Sequence, residues 1–320
     1  MKFGNQLKSI HSLRFDPEDK YIAAGFTDGT VRVFNMNNGT TQLSLQANYI
    51  NEDEKFAFTC LRWCPRLYSS KEGNLLTAVS VDGSIYQWMV PSGKIVTTIK
   101  SSIPANDLYS LDYNNEGSKF AVAGKDLNIK LYDESTKELI RELIPDSQKI
   151  PGHSNRIFSL KFSEDPNLLL SASWDKTIKV WDLRQNEAIA SILGVEISGD
   201  SIDSVGDLIF SGSHRSKNSI QVWSLHKYNL IENFNWEEST LIYSLRVSPI
   251  SGQYLLIGGS NKNEVKIFDR GLKNSFVCGV TDLLHPCFSV DFSHDTKMIA
   301  VGCSDGSIQF FEISLEKKSH

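Results

Sequence analysis

The sequence predicts an all-β fold: a seven-bladed β-propeller of four-stranded antiparallel blades, with residues 1–320 as one domain. Three observations predict it. A four-residue motif (small or polar, aliphatic, charged or polar, then usually aromatic) returns seven times along the chain. Each copy is followed by a strand that ends on an aromatic residue, and these aromatics lie 42 to 54 residues apart; periods of about 40–45 residues belong to four-stranded propeller blades. Segments such as Val31-Arg32-Val33-Phe34 and Ile178-Lys179-Val180-Trp181 alternate with period two, and no stretch keeps a helical period.

The elements follow in order. The first blade has the motif at Ser12-Leu13-Arg14-Phe15, small residues at Ala23-Ala24-Gly25, a terminal aromatic at Phe34 and an outer strand over 41–45. The second runs from Cys60-Leu61-Arg62-Trp63 to Trp88, with 94–99 outside. The third runs from Ser110-Leu111-Asp112-Tyr113 through Ala121-Val122-Ala123-Gly124 to Tyr132, with 138–143 outside. In the fourth, Ser159-Leu160-Lys161-Phe162 precedes Ser171-Ala172-Ser173 and Trp181, with 188–193 outside. The fifth has a degraded motif, Ser201-Ile202-Asp203-Ser204, then Ser211-Gly212-Ser213 and Trp223, with 230–234 outside. The sixth has Ser244-Leu245-Arg246-Val247, Gly258-Gly259-Ser260 and Phe268, with a weaker outer strand at 275–277. The seventh has Ser289-Val290-Asp291-Phe292 and Phe311 and no outer strand of its own. Five terminal aromatics have an aspartate six residues earlier (Asp28, Asp82, Asp126, Asp175 and Asp305), and three of these open Asp-Gly turns; Asp-Gly suits a tight hairpin because the turn needs positive φ. Residues 2–7 are expected to pair beside 308–313 and close the ring, which would remove two bare sheet edges.

Gly152-His153, Ser171-Ala172-Ser173-Trp174-Asp175 and Trp181-Asp182 together resemble the full signature of the WD-repeat (WD40) family, and the other six blades resemble divergent copies. Phe268-Asp269 and Tyr132-Asp133 keep the final acid, whereas Trp88-Met89 and Trp223-Ser224 do not. The resemblance spans essentially the whole chain. It implies that His153, Ser171, Asp175 and Trp181 form a buried hydrogen-bond relay rather than a hydrolase triad. It also implies a face, here called upper, on which the residue before each inner-strand motif stands at the rim of the central channel. Those residues are His11, Thr59, Tyr109, Phe158, Tyr243 and Phe288, with Trp174 directed to the same face. A partner-binding role is expected for Tyr109, Phe158, Trp174, Tyr243, Phe288 and His11. Three loop segments join them: the acidic stretch 48–54, the basic 214–217 with Arg215, and 235–238 with Trp236. Some family members hold a peptide arginine between two aromatics three blades apart, the offset of Phe158 and Phe288.

Composition narrows the functions. A net charge of -5 supplies no basic field for a nucleic-acid backbone, so nucleic acid is not an expected partner. No apolar run approaches the ~18–20 residues of a membrane span, and no secretory leader is read at the start. Five scattered cysteines read as reduced thiols, so a cytoplasmic location is expected, with nucleus or cilium open. Cys60 and Cys64 would stand roughly 13 Å apart on a strand, too far to share a zinc ion. Gly258-Gly259-Ser260-Asn261-Lys262 lacks the order of a phosphate loop. No cofactor, metal or catalytic group is expected. The function that results is a scaffold or adaptor binding proteins or peptides within a multiprotein complex. Its alternatives are a structural subunit of a large cytoskeletal or ciliary assembly, or a reader of arginine-containing peptides.

Overall fold

The computed structural model describes residues 8–47, 55–65, 74–101, 103, 106–144, 150–215, 217–234, 236 and 240–313. The chain is a seven-bladed β-propeller. The first blade contains β1 (Ile10–Phe15), β2 (Tyr21–Phe26), β3 (Thr30–Asn35) and β4 (Thr41–Gln46). The second contains β5 (Phe58–Trp63), β6 (Asn74–Ser80), β7 (Ile85–Val90) and β8 (Lys94–Ile99). The third contains β9 (Leu108–Tyr113), β10 (Lys119–Gly124), β11 (Ile129–Asp133) and β12 (Leu139–Leu143). The fourth contains β13 (Ile157–Phe162), β14 (Leu168–Ser173), β15 (Thr177–Asp182) and β16 (Glu187–Leu193). The fifth contains β17 (Ile202–Val205), β18 (Leu208–Gly212), β19 (Ile220–Ser224) and β20 (Leu230–Phe234). The sixth contains β21 (Leu241–Val247), β22 (Tyr254–Ser260), β23 (Val265–Asp269) and β24 (Ser275–Val280), the last longer than the sequence predicts. The seventh contains β25 (Cys287–Phe292), β26 (Met298–Cys303) and β27 (Ile308–Glu312). Within each blade every strand pairs antiparallel with the next in sequence. No helix among the described residues is long and apolar enough to cross a membrane.

The recurring motif is explained by how blades join. The motif serine sends its hydroxyl to the following blade: Ser12 Oγ accepts from Leu61 N at 3.0 Å and Ser244 Oγ from Val290 N at 3.1 Å. The aliphatic second position and the large fourth position fill seven apolar cores, each between two consecutive blades. One of these cores joins the seventh blade to the first through Ala300, Ile308, Ile10 and Leu13. Ser289 Oγ accepts from Leu13 N at 3.0 Å across the same seam, and Asp291 accepts from Phe15 N at 2.9 Å. The inner ring is therefore continuous. The closing strand expected at residues 2–7 lies outside the described residues.

Candidate functional site

The six rim residues share one backbone feature. In each of the six blades concerned, the inner pair carries a register shift, and the residue skipped is the one before the motif: His11, Thr59, Tyr109, Phe158, Tyr243 and Phe288. A β-bulge leaves its extra residue unpaired and re-aims its side chain. Here it turns six side chains toward the channel mouth, where together they line a cavity of about 260 Å³. Four of them are aromatic and half-buried. Tyr109 stacks on Phe158 with centroids 4.8 Å apart, and Trp174, 46 % exposed, packs against Phe158 at 5.1 Å. Opposite them in the ring sequence, Tyr243 meets Phe288 edge-on at 4.9 Å and His214 at 4.4 Å, and His11 meets Phe288 at 6.2 Å. The mouth thus has two preassembled aromatic walls. Burial lowers the imidazole pKa of both His11 and His214, which keeps the rings uncharged at neutral pH.

The fifth blade breaks the pattern. β17 has only four residues, and Asp200, the residue before Ser201, is not a bulged aromatic. Ser198, Gly199 and Asp200 instead form part of the cavity wall. Gly199 is required there, because a Cβ would lie 2.3 Å from the Tyr243 carbonyl oxygen. Asp200 reaches into the channel, where its carboxylate accepts from the guanidinium groups of Arg14 and Arg246, and from Arg62 at 2.8 Å. Ser159 Oγ adds a fourth donor at 3.3 Å.

These arginines belong to a charged ring. The third motif position is charged in all seven copies: Arg14, Arg62, Asp112, Lys161, Asp203, Arg246 and Asp291. Arg62 pairs with Asp112 at 3.1 Å and Lys161 with Asp203 at 2.8 Å. Each ring aspartate also accepts a backbone N–H from the next blade: Asp112 from Phe162 at 2.8 Å, Asp203 from Val247 at 2.9 Å and Asp291 from Phe15. Burial raises the Asp291 pKa to about 6, although Arg14 and the Phe15 amide pull it down. Burial opposes the charge on Lys161 too, but Asp203 and Asp112 outweigh it and raise its pKa. Four cations and three anions occupy the ring, and Asp200 is the eighth charge that balances them. It also bridges Arg14 and Arg62, the one pair of like charges on consecutive blades. Below this layer a second cavity of about 490 Å³, lined among others by Arg14, Arg62, Lys161 and Asp291, opens toward the other face. Sequence reasoning missed Asp200 and the ring, although an unbroken run of charges at one motif position was the signal.

The fourth blade brings His153, Ser171, Asp175 and Trp181 into one network. His153 Nδ1–H donates to Asp175 at 2.8 Å, Ser171 lies 2.7 Å from His153 Nε2, and Trp181 Nε1–H donates to Ser171 Oγ at 2.8 Å. The serine hydroxyl is thus committed to the indole and imidazole, and its side chain has no exposed surface for a substrate to reach. Burial would raise the Asp175 pKa, but the bond from His153 and that from Thr177 overcome it and hold the carboxyl at about 2. Burial lowers the His153 pKa below 6.5, so the folded protein keeps a neutral ring while the unfolded chain takes up a proton below about that pH. This stabilisation is present above pH 6.5 and is lost as pH falls toward the lowered folded value. His153→Ala is therefore expected to cost about 1–3 kcal/mol at neutral pH, read from the denaturation midpoint. The difference from wild type should narrow as pH falls below about 6.5; a difference that widens on acidification would place the charge on His153 in the folded state, and a pH-independent one would mean that folding leaves its imidazole unshifted.

Comparison with known proteins agrees with this geometry. The family model described as "WD domain, G-beta repeat" matches residues 146–182 and 280–312, and the "Anaphase-promoting complex subunit 4 WD40 domain" matches residues 2–66. The chain is a member of the WD-repeat family. Among its relatives, the U3 small nucleolar RNA-associated protein 21 homolog of Schizosaccharomyces pombe is 27 % identical over 168 residues, 52 % of this chain and 16 % of the relative. The WD repeat-containing protein 89 homolog of Dictyostelium discoideum is 29 % identical over 157 residues, 48 % of this chain and 40 % of the relative. Pre-mRNA-processing factor 19 of Oryza sativa subsp. japonica is 22 % identical over 306 residues, 95 % of this chain and 47 % of the relative. The chain spans less than half the length of each of these relatives.

One expectation for this WD-repeat propeller is corrected by its structure. Trp236 is not on the face: it is 1 % exposed in the core between the fifth and sixth blades, and its Nε1–H donates to Glu264 at 3.0 Å. Arg215 is half-buried, and its guanidinium donates to the Gly194 carbonyl at 2.6 Å, beside the end of β16. The acidic stretch 48–54 lies outside the described residues. An arginine held between Phe158 and Phe288 meets a further obstacle, because Tyr109 already covers a face of Phe158.

Proposed function

We propose that this WD-repeat propeller, read as one domain over residues 1–320, is a non-catalytic platform that docks a protein partner by taking one of its side chains into the upper mouth. The observation that carries the reading is the six bulged side chains converging on a 260 Å³ cavity floored by Asp200. Cavities that take whole small ligands run about 300–1,000 Å³, so this one suits a single large side chain. The aromatic walls supply rigid contact area of the kind that dominates binding energy at interfaces. The relatives' names refer to small nucleolar RNA and pre-mRNA processing. They support membership of a multiprotein, RNA-containing assembly in the nucleus rather than the cytoplasmic setting expected from the sequence. With a net charge of -5 the chain would reach such RNA through protein partners.

The test is affinity purification of the full chain against the Phe158→Ala, Phe288→Ala double variant, each checked for an unchanged circular-dichroism spectrum. The wild-type chain should retain a set of proteins that the double variant loses. Retention of every partner by the double variant would place docking elsewhere on the disc.

A further inference from the structure

Taking the upper mouth as the docking site, as proposed above, we infer that it selects an acidic peptide: an aromatic or large apolar side chain enters the cavity while a neighbouring carboxylate or phosphate is paired by Arg156 on the rim. Arg156 is the residue that leads into the bulge at Phe158. Its guanidinium lies 6.0 Å from the Tyr109 ring centre and 5.7 Å from that of Trp174. Its backbone is tied down, with N donating to Asn155 Oδ1 and the carbonyl accepting from Trp174 N, but among the described residues its guanidinium makes no ion pair or hydrogen bond, in contrast with Arg14, Arg62 and Arg246, each spent on Asp200. The acid beside this wall, Asp107, is occupied by the Tyr109 hydroxyl at 2.6 Å and by Lys125 at 4.0 Å. Arg156 is therefore a cation held in place by two aromatic faces, with its hydrogen-bonding edge uncommitted, beside the opening of an apolar cavity. A guanidinium in that setting recognises carboxylate or phosphate through two parallel hydrogen bonds.

The floor argues the same way. A cationic side chain descending into the cavity would meet Asp200, whose two oxygens already accept from three guanidinium groups and one hydroxyl. The negative charge is spent, and the layer behind it is guanidinium. His11 and His214 are held neutral, and so add no charge of either sign. An uncharged aromatic or aliphatic tip meets no such opposition, and the walls at Phe158 and Phe288 offer it face and edge contacts. Peptide is favoured over RNA because a nucleic-acid backbone needs several cations in a row, and among the described residues beside this wall Arg156 is joined only by Lys125, which faces Asp107.

The experiment is selection from a random-peptide display library on the immobilised full chain, with Arg156→Glu, Arg156→Ala and Phe288→Ala chains and a short poly-uridine RNA as parallel arms. The expected consensus places Asp or Glu beside Phe, Tyr, Trp or Leu. A synthetic peptide carrying it should bind about tenfold or more weaker to Arg156→Ala, and weaker still to Arg156→Glu, with the melting temperature of both variants unchanged. A consensus built on Arg or Lys, an acidic consensus indifferent to Arg156, no enrichment at all, or retention of the RNA above any peptide would each overturn the inference. Partners lost with Phe288→Ala but kept by Arg156→Glu would sink the acidic specificity alone. Partners kept by both chains would sink the docking site with it.

Discussion

Asp200→Ala is expected to be among the most damaging single substitutions in the molecule, costing about 3–5 kcal/mol of stability, the range for a buried ion pair deprived of one member. The reason lies in what is left behind. Arg14, Arg62 and Arg246 have side chains only 6, 11 and 10 % exposed, and all three converge on this carboxylate. Arg62 retains Asp112, and Arg246 stands 4.0 Å from Asp291. Among the described residues Arg14 makes no second ion pair and keeps carbonyl and hydroxyl acceptors, Leu13 O, Val290 O and Ser289 Oγ. Removing the acid leaves four cations against three anions in the ring, with like charges adjacent on the first and second blades. Because the Asp200 carbonyl also accepts from Leu245 N at 3.2 Å, backbone placement is shared with the sixth blade and should survive the truncation. The denaturant midpoint measures the loss. Adding Arg14→Met to the Asp200→Ala chain should recover part of it, since a neutral side chain of similar length no longer needs the counterion. A loss under about 1 kcal/mol would mean that water entering from the lower cavity solvates the arginines, as it does for exposed pairs.

Asp200 also marks the limit of what the sequence made legible. The blade count and the strand order follow from local pattern, in which a small or polar residue, an aliphatic residue, a charge and a large residue repeat because each blade must present the same contacts to the next, whereas the rim positions were implied by the family resemblance. The residues of the fourth-blade relay could be named because this blade keeps the full signature that the WD-repeat resemblance rests on. The pairing of Arg14 with Asp200 spans 186 residues across the channel, and no periodicity encodes which opposite blade a charge will meet. The bulges were equally invisible, since they are a property of register between strands. Yet they are what brings six unrelated side chains, from His11 to Phe288, to the lining of one cavity. Trp236 was misplaced for the converse reason: it stands in a segment that departs from the repeat, where position no longer predicts direction. Arg156 was passed over because a lone arginine before a strand carries no pattern, and only its neighbours in space single it out.

Trp236→Ala is expected to destabilise the protein by about 3–5 kcal/mol, as for other large buried aromatics, while leaving partner capture by the folded fraction unchanged. The side chain is packed with Phe268, whose ring centre is 6.3 Å away, and shares its core with Ile220, Val222 and Leu255. It therefore seals the fifth blade to the sixth. Truncation opens a cavity between two sheets that pair only within themselves, so backbone relaxation has little room to close it. The indole also serves a polar purpose: Nε1–H donates to Glu264, whose carboxylate is paired with Lys266 at 3.3 Å, and the Lys266 ammonium lies 5.2 Å from the indole centre. Trp236→Phe separates the two contributions. It keeps most of the packing and removes the donor, so its cost should be nearer 1–3 kcal/mol. Both variants are read by denaturation midpoint and, at a temperature where each is folded, by affinity purification beside the Phe158→Ala, Phe288→Ala chain. A Trp236→Ala protein that melts like wild type but loses its partners would return this residue to the face; an early-melting protein with its partners intact fixes it as the wedge between two blades.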